Sequence, residues 1–203
     1  LSLLPMNFNA FLERIRNLLL FPAYEWKVIS LEDRTVREDL YHYAFRLILP
    51  GAIAQFLGSF FYIQHQIDID AYRFSFPLTQ AAFYIIIQLL TIVLSAYFVT
   101  GMARKFKSTR NFARSLKLVI YSFTPFLLMY IVANLNPILL IALLPGAYGL
   151  VLFGKGLPEM LQTVPDKRPA FIIIFLISVS GIMFLLSIFF KALTALIFPG
   201  VLA

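Results

Sequence analysis

The side chains best suited to chemistry in this chain are His65, Asp68 and Asp70. Two carboxylates at alternate positions, with an imidazole just upstream, could reach one divalent cation. Three ligands underfill such a site and a solvated loop would carry the same residues, so no resident metal is expected. Gly149, Gly154, Lys155 and Gly156 nearly spell the phosphate-binding loop GxxxxGK[ST]. Glycine replaces the hydroxyl that would hold magnesium, and the intervening residues belong to an apolar helical stretch rather than a strand-to-helix turn. Lys155 reads better as an anchor at the end of a span. The two histidines, His42 and His65, sit at opposite ends of one helical stretch, about 35 Å apart. Ser–His, paired-aspartate or His–Glu sites cannot be assembled within the apolar segments, and the chain has no cysteine. The expectation is a non-enzymatic protein with no cofactor and no nucleotide.

The remaining polar groups lie inside apolar sequence: Arg46, Gln55, Gln88, Thr91, Ser95, Ser122, Thr124, Ser178 and Ser180. Transport proteins mark their substrate path with midplane ionisable groups or broken helices. Arg46 is the only ionisable candidate, and it lies close enough to a membrane face to snorkel. Pro50, Pro125 and Pro145 each free a backbone carbonyl in mid-span, which neighbouring helices, Ser/Thr side chains or water must satisfy. Kinks of this kind serve shape or a permeation site. Pro50, Gln55, Gln88, Thr124, Pro125 and Pro145 are the residues that would line such a path.

The elements that hold these residues are set by charge distribution. No carboxylate occurs between Asp70 and Glu159. An aqueous surface needs both charge signs interspersed, whereas an ionised Asp at the centre of a spanning helix costs about 2.5–3.5 kcal/mol. Apolar residues make up 61% of the chain and charged residues 13%. Both facts predict an all-α polytopic membrane protein. Five stretches are long enough to cross a bilayer core: residues 43–63, 78–102, 116–135, 137–153 and 170–190. Residues 1–42 form a segment ahead of a bundle over residues 43–198. Asn136-Pro137 and Pro169 read as helix starts, and so short a link after Asn134 makes the third and fourth spans an antiparallel hairpin.

Counting Lys and Arg by loop orients the bundle. Arg14, Arg16, Lys27, Arg34, Arg37, Arg104, Lys105, Lys107, Arg110, Arg114, Lys117, Lys155, Lys167 and Arg168 fall on one side, and Arg73 and Lys191 on the other. The positive-inside rule puts the N-terminus in the cytoplasm and the C-terminus outside. The net charge of +7 therefore speaks for orientation and anionic lipid rather than for nucleic acid. Residues 8–19 repeat Phe8, Phe11, Leu12, Ile15, Leu18 and Leu19 at helical spacing, with the charges assigned to the opposite face. This predicts an amphipathic helix, lying in the interface or packed on the bundle, and not a signal peptide. The loop holding Arg104, Lys105, Lys107 and Arg110 is a single-sign patch suited to anionic headgroups or a partner, with Asn111 placed to cap the helix after it.

The order of features is also informative. Phe21-Pro22 leads to Trp26, an acidic turn follows around Glu32, and Tyr41 and Tyr43 open the Pro50-Gly51 span. The third span holds YSFTPFLL and the fourth ends GAYGLVLFGKGLP. Over nearly the whole chain this resembles the Yip family of Rab-interacting membrane proteins, and within it the bacterial YohC-like inner-membrane branch. The resemblance implies a five-span bundle with a cytoplasmic N-terminus. For eukaryotic members it implies vesicle traffic through small GTPases and partner membrane proteins. Their long polar N-terminal domain is not matched here, and Asp39-Leu40-Tyr41 is the nearest fragment to their DLYGP-type segment. The expected function is a Yip-type bundle that binds lipids, a membrane-protein partner or a second copy, or organises the bilayer. The alternative is a small-solute or ion passage.

Overall fold

The computed structural model describes residues 7–66, 72–135 and 144–199, and these are helical with short connections. Helix α1 (Phe8–Leu20) starts at Asn7, whose side chain accepts from the Ala10 amide at 2.7 Å, and α2 (Pro22–Leu31) starts on a proline that needs no donor. A capping box of Thr35 and Glu38 nucleates α3 (Val36–Asp39). A π-helical turn over residues 40–44 joins α3 to α4 (Phe45–Gln66). Next come α5 (Ser75–Met102), continued by a 3₁₀ turn, then α6 (Phe112–Ser122) and α7 (Thr124–Ala133). The last helices are α8 (Tyr148–Leu161) and α9 (Arg168–Ile197).

Three continuous helical stretches, Val36–Phe61, Ser75–Phe106 and Pro165–Ile197, are long and apolar enough to cross a membrane. α6 and α7 together make a fourth, bent by 40°. The third stretch, expected over residues 116–135 with Pro125 freeing a carbonyl in mid-span, is broken there into two helices. Pro125 has no amide to give the Tyr121 carbonyl, and the helix breaks at Phe123. The stretch expected at residues 137–153 falls partly on residues 136–143, outside those described. Its described part differs from expectation, since α8 runs past Phe153 to Leu161 and carries Lys155 within the helix. The glycine-rich Gly149-to-Gly156 segment is therefore helical throughout, not a phosphate-binding turn.

α6 and α8 are antiparallel and very close. A Cβ on Gly149 would stand 2.5 Å from the Ser122 carbonyl oxygen, and one on Gly156 would stand 2.5 Å from Leu118 and 2.6 Å from Trp26. At Gly149 only glycine permits such backbone approach, and at Gly156 its bare Cα makes room for the two side chains. α2 packs along α8, so Trp26 and Ile29 are buried against the bundle. α1 departs from the two-faced pattern expected of it: Arg14 is buried with Phe11 and Leu18, while Phe8 and Leu12 are exposed. α9 packs on α5 and α8 by one edge and shows Ile173, Ile177, Phe184 and Leu185 outward.

Candidate functional site

Six charged groups from α1, α2, the α2–α3 connection, α3 and α6 meet where the N-terminal helices dock. The Arg14 guanidinium lies 3.1 Å from the Glu25 carboxylate and also pairs with Glu32. Glu32 is 3.7 Å from Arg34, and its backbone carbonyl accepts from the Lys117 ammonium at 2.9 Å. Lys117 stands 3.7 Å from Asp39, whose other oxygen accepts from the Tyr121 hydroxyl at 2.9 Å. Arg14 also sits over the Tyr121 ring, 5.8 Å from its centroid. Three cations thus answer three carboxylates, as burial of charge requires. Burial works against the Arg14 charge, but Tyr121, Glu32 and Glu25 outweigh it, and its pKa is raised.

One layer further in, the break between α6 and α7 is closed by hydroxyls. Thr124 donates to the Tyr121 carbonyl at 2.8 Å, the group that Pro125 leaves without an amide. The Tyr43 hydroxyl is 2.8 Å from the same Thr124 oxygen and so acts as its donor. Tyr43 comes from the π-helical turn, and its ring centroid lies 4.5 Å from that of Tyr121 and 5.5 Å from that of Phe11. The Asp39-Leu40-Tyr41 fragment therefore supplies the cluster's innermost carboxylate, while Tyr41 is exposed beside Phe45.

A second feature opens sideways. Phe123 and Phe126, Leu150 at the start of α8, and Leu176, Val179 and Met183 on α9 line an apolar groove of about 230 Å³. Leu176 and Ser180 on its rim are exposed. Lys155, also exposed, lies five residues beyond Leu150, about 7.5 Å along the axis of α8.

The residues singled out in the sequence are scattered. Thr124 and Pro125 come together, both buried, beside Tyr43. Gln88 is buried on α5, and Gln55 is half-buried on α4 and donates to Ser59 at 3.0 Å. Pro50 and Pro145 are on the exterior, and Arg46 is half-buried. The His65 side chain, Asp68 and Asp70 lie outside the described residues, among which no group of His, Asp and Glu could hold a metal. Arg104, Lys105, Lys107 and Arg110 are all exposed on one loop. That loop is pinned by Thr109 donating its amide to the Leu161 carbonyl at 2.8 Å and by a 2.8 Å hydroxyl contact between Ser108 and Thr163. Asn111 caps α6 by accepting from the Arg114 amide at 3.1 Å.

Sequence reasoning missed the ionic cluster. Its signal was present: Arg14 falls between Phe11 and Leu18 at three- and four-residue steps, on the buried face. With bundle and loops placed, comparison decides the family. The Yip1 domain matches residues 16–189. The chain belongs to the Yip1-domain family. No curated protein and no solved structure matches it. The matched region takes in the docked N-terminal helices from Arg16 onward together with most of α9, so in this Yip1-domain protein five of the six charged groups lie within the family region and Arg14 lies two residues before it.

Proposed function

We propose that this Yip1-domain protein is a non-enzymatic, five-span membrane protein that binds lipid from the side. The observation that carries this reading is the apolar groove between α7, α8 and α9. In a bilayer, a side-facing groove lined by Phe, Leu, Val and Met meets acyl chains. The apolar sequence over residues 137–153 supports a fifth span beside the four helical stretches above. The fourteen-to-two distribution of Lys and Arg favours a cytoplasmic N-terminus and an outside C-terminus. By resemblance the setting is a bacterial inner membrane. The exposed basic loop adds a surface for anionic headgroups or a membrane-protein partner.

The test is lipid retention by the purified chain. Val179→Trp, which fills the groove, should reduce co-purifying phospholipid relative to the parent, while Phe184→Trp on the outer face of α9 should not. Equal retention in both variants would end this reading. A second reading, a passage for small solutes, has one observation in its favour. Tyr84, Gln88, Thr91 and Ser95 form a buried stripe on α5, and the three hydroxyls and Gln88 Oε1 have no hydrogen-bond partner among the described residues. Solute flux into liposomes that is abolished by Thr91→Val and Ser95→Ala would favour it.

A further inference from the structure

The corner between α1 and α2 presents an apolar surface. Residues 18–24 read LLLFPAY without a charge. Leu20, Phe21 and Tyr24 are 63%, 60% and 66% exposed, more than most side chains on the outer faces of the spanning helices. The depth of this corner can be read from its partner. The Tyr148 hydroxyl donates to the Leu19 carbonyl at 3.1 Å, fixing the corner at the first residue of α8. Trp26, further along α2, packs against Gly156 near the other end of α8.

The bundle supplies the scale. Gly154 faces Ile172, so Lys155 is level with the first turns of α9, just inside Lys167 and Arg168. Those cations mark a polar end, which the basic loop shares through the stack of Phe106 on Phe171 at 4.4 Å. Tyr148 lies seven residues back from Lys155, about 10 Å along the helix axis. At that level α9 turns Ile177 outward, 64% exposed, on a stretch apolar enough to cross a membrane. The corner therefore stands beside a surface that faces hydrocarbon. Its charges do not oppose this. Arg14 and Glu25 neutralise each other against the bundle; Arg16, 3.9 Å from Glu13, is the last exposed charge before the corner, and Lys27 is the first after it.

We propose that the α1–α2 corner is inserted among the acyl chains of the leaflet at the basic end, about 10 Å below Lys155. Its ligand is the hydrocarbon of that leaflet alone. The helices enter and leave on the same side, so the corner adds area to one leaflet and not to the other. Depths of about 5–10 Å are those at which amphipathic helices displace lipid and respond to curvature.

The cysteine-free chain allows a direct test. Nitroxide labels on Leu20→Cys, Phe21→Cys and Tyr24→Cys would be read in the full-length protein, reconstituted in phosphatidylcholine–phosphatidylglycerol vesicles. Lys27→Cys serves as the shallow reference and Ile177→Cys as the deep one. Collision with oxygen and with a water-soluble nickel chelate gives the depth of each label. The three corner labels should match Ile177→Cys to within a helical turn, with high oxygen and low nickel accessibility. Nickel accessibility like that of Lys27→Cys would overturn the proposal. So would shielding from both reagents, since that means protein covers the corner. Emission from Trp26, the only tryptophan, confirms that each variant is packed as the parent.

Discussion

Tyr121 donates its phenolic proton to Asp39 across 2.9 Å while Lys117, one helical turn earlier on α6, holds the other carboxylate oxygen at 3.7 Å. A carboxylate that is 1% exposed is thus answered by two groups from a single helix. The consequence is that α3 and the π-helical turn after it are fastened to α6 rather than only to α4, which continues them.

Removing one partner of a buried ion pair leaves an uncompensated charge and costs about 3–5 kcal/mol, whereas removing both costs much less. Lys117→Met alone should lower the thermal midpoint of the detergent-purified protein strongly. Asp39→Asn with Lys117→Met should recover much of that loss. The measurement is a double-mutant cycle on unfolding midpoints. Strictly additive effects would show that the two groups do not act as a pair.

Gly156→Val should prise α2 from the bundle. The added carbons would overlap the Trp26 indole and Leu118. Overpacking of this kind costs about 1–3 kcal/mol. Because the chain has one tryptophan, its emission should shift to the red and become open to acrylamide quenching. Gly101→Ala is the control, since nothing lies within 4 Å of its new methyl group. An unchanged Trp26 spectrum in Gly156→Val would mean that α2 is not held by this contact.

How much of this was legible in the sequence depends on which physical signal each residue carried. The acid-free run from Asp70 to Glu159 declared membrane helices, since charge cost there is large and uniform along the stretch. The break at Phe123 was half legible. Pro125 announced an orphaned carbonyl, but only three dimensions show that Thr124 satisfies it and that Tyr43 completes the chain. Arg14 and Lys117 were misread as surface charge because a count by loop treats every Lys and Arg alike. Their carboxylates, Glu25, Glu32 and Asp39, lie 11 to 78 residues away in sequence, beyond any helical spacing rule. The groove was invisible for the same reason. Its walls come from three helices, and nothing in Leu150 or Val179 distinguishes them from lipid-facing neighbours.

Topology can be tested without removing any native thiol. A cysteine beside Asp68 should react with a membrane-impermeant reagent in intact cells, and one beside Lys107 should react only after permeabilisation. The reverse pattern, or a C-terminus found on the cytoplasmic side, would overturn the five-span arrangement with its cytoplasmic N-terminus.

The basic loop gives the last expectation. Arg104 and Lys105 sit on the 3₁₀ turn after α5, and Lys107 ends it in a left-handed conformation (φ 52°). The Thr109 amide bond to the Leu161 carbonyl, buried Phe106 and the cap at Asn111 hold the loop in place. Its exposed cations therefore form a fixed array, which loses little conformational entropy when it meets headgroups. Attraction to an anionic leaflet is worth about 1 kcal/mol per Lys or Arg near the surface and decays within a Debye length. Replacing Arg104, Lys105, Lys107 and Arg110 together with Gln should lower the anionic lipid retained by the purified protein, and the loss should shrink as salt rises. The comparison is lipid content by mass spectrometry for parent and variant at two ionic strengths. A variant that inserts in the parent's orientation and keeps as much anionic lipid at low salt would reduce the loop to a topology signal.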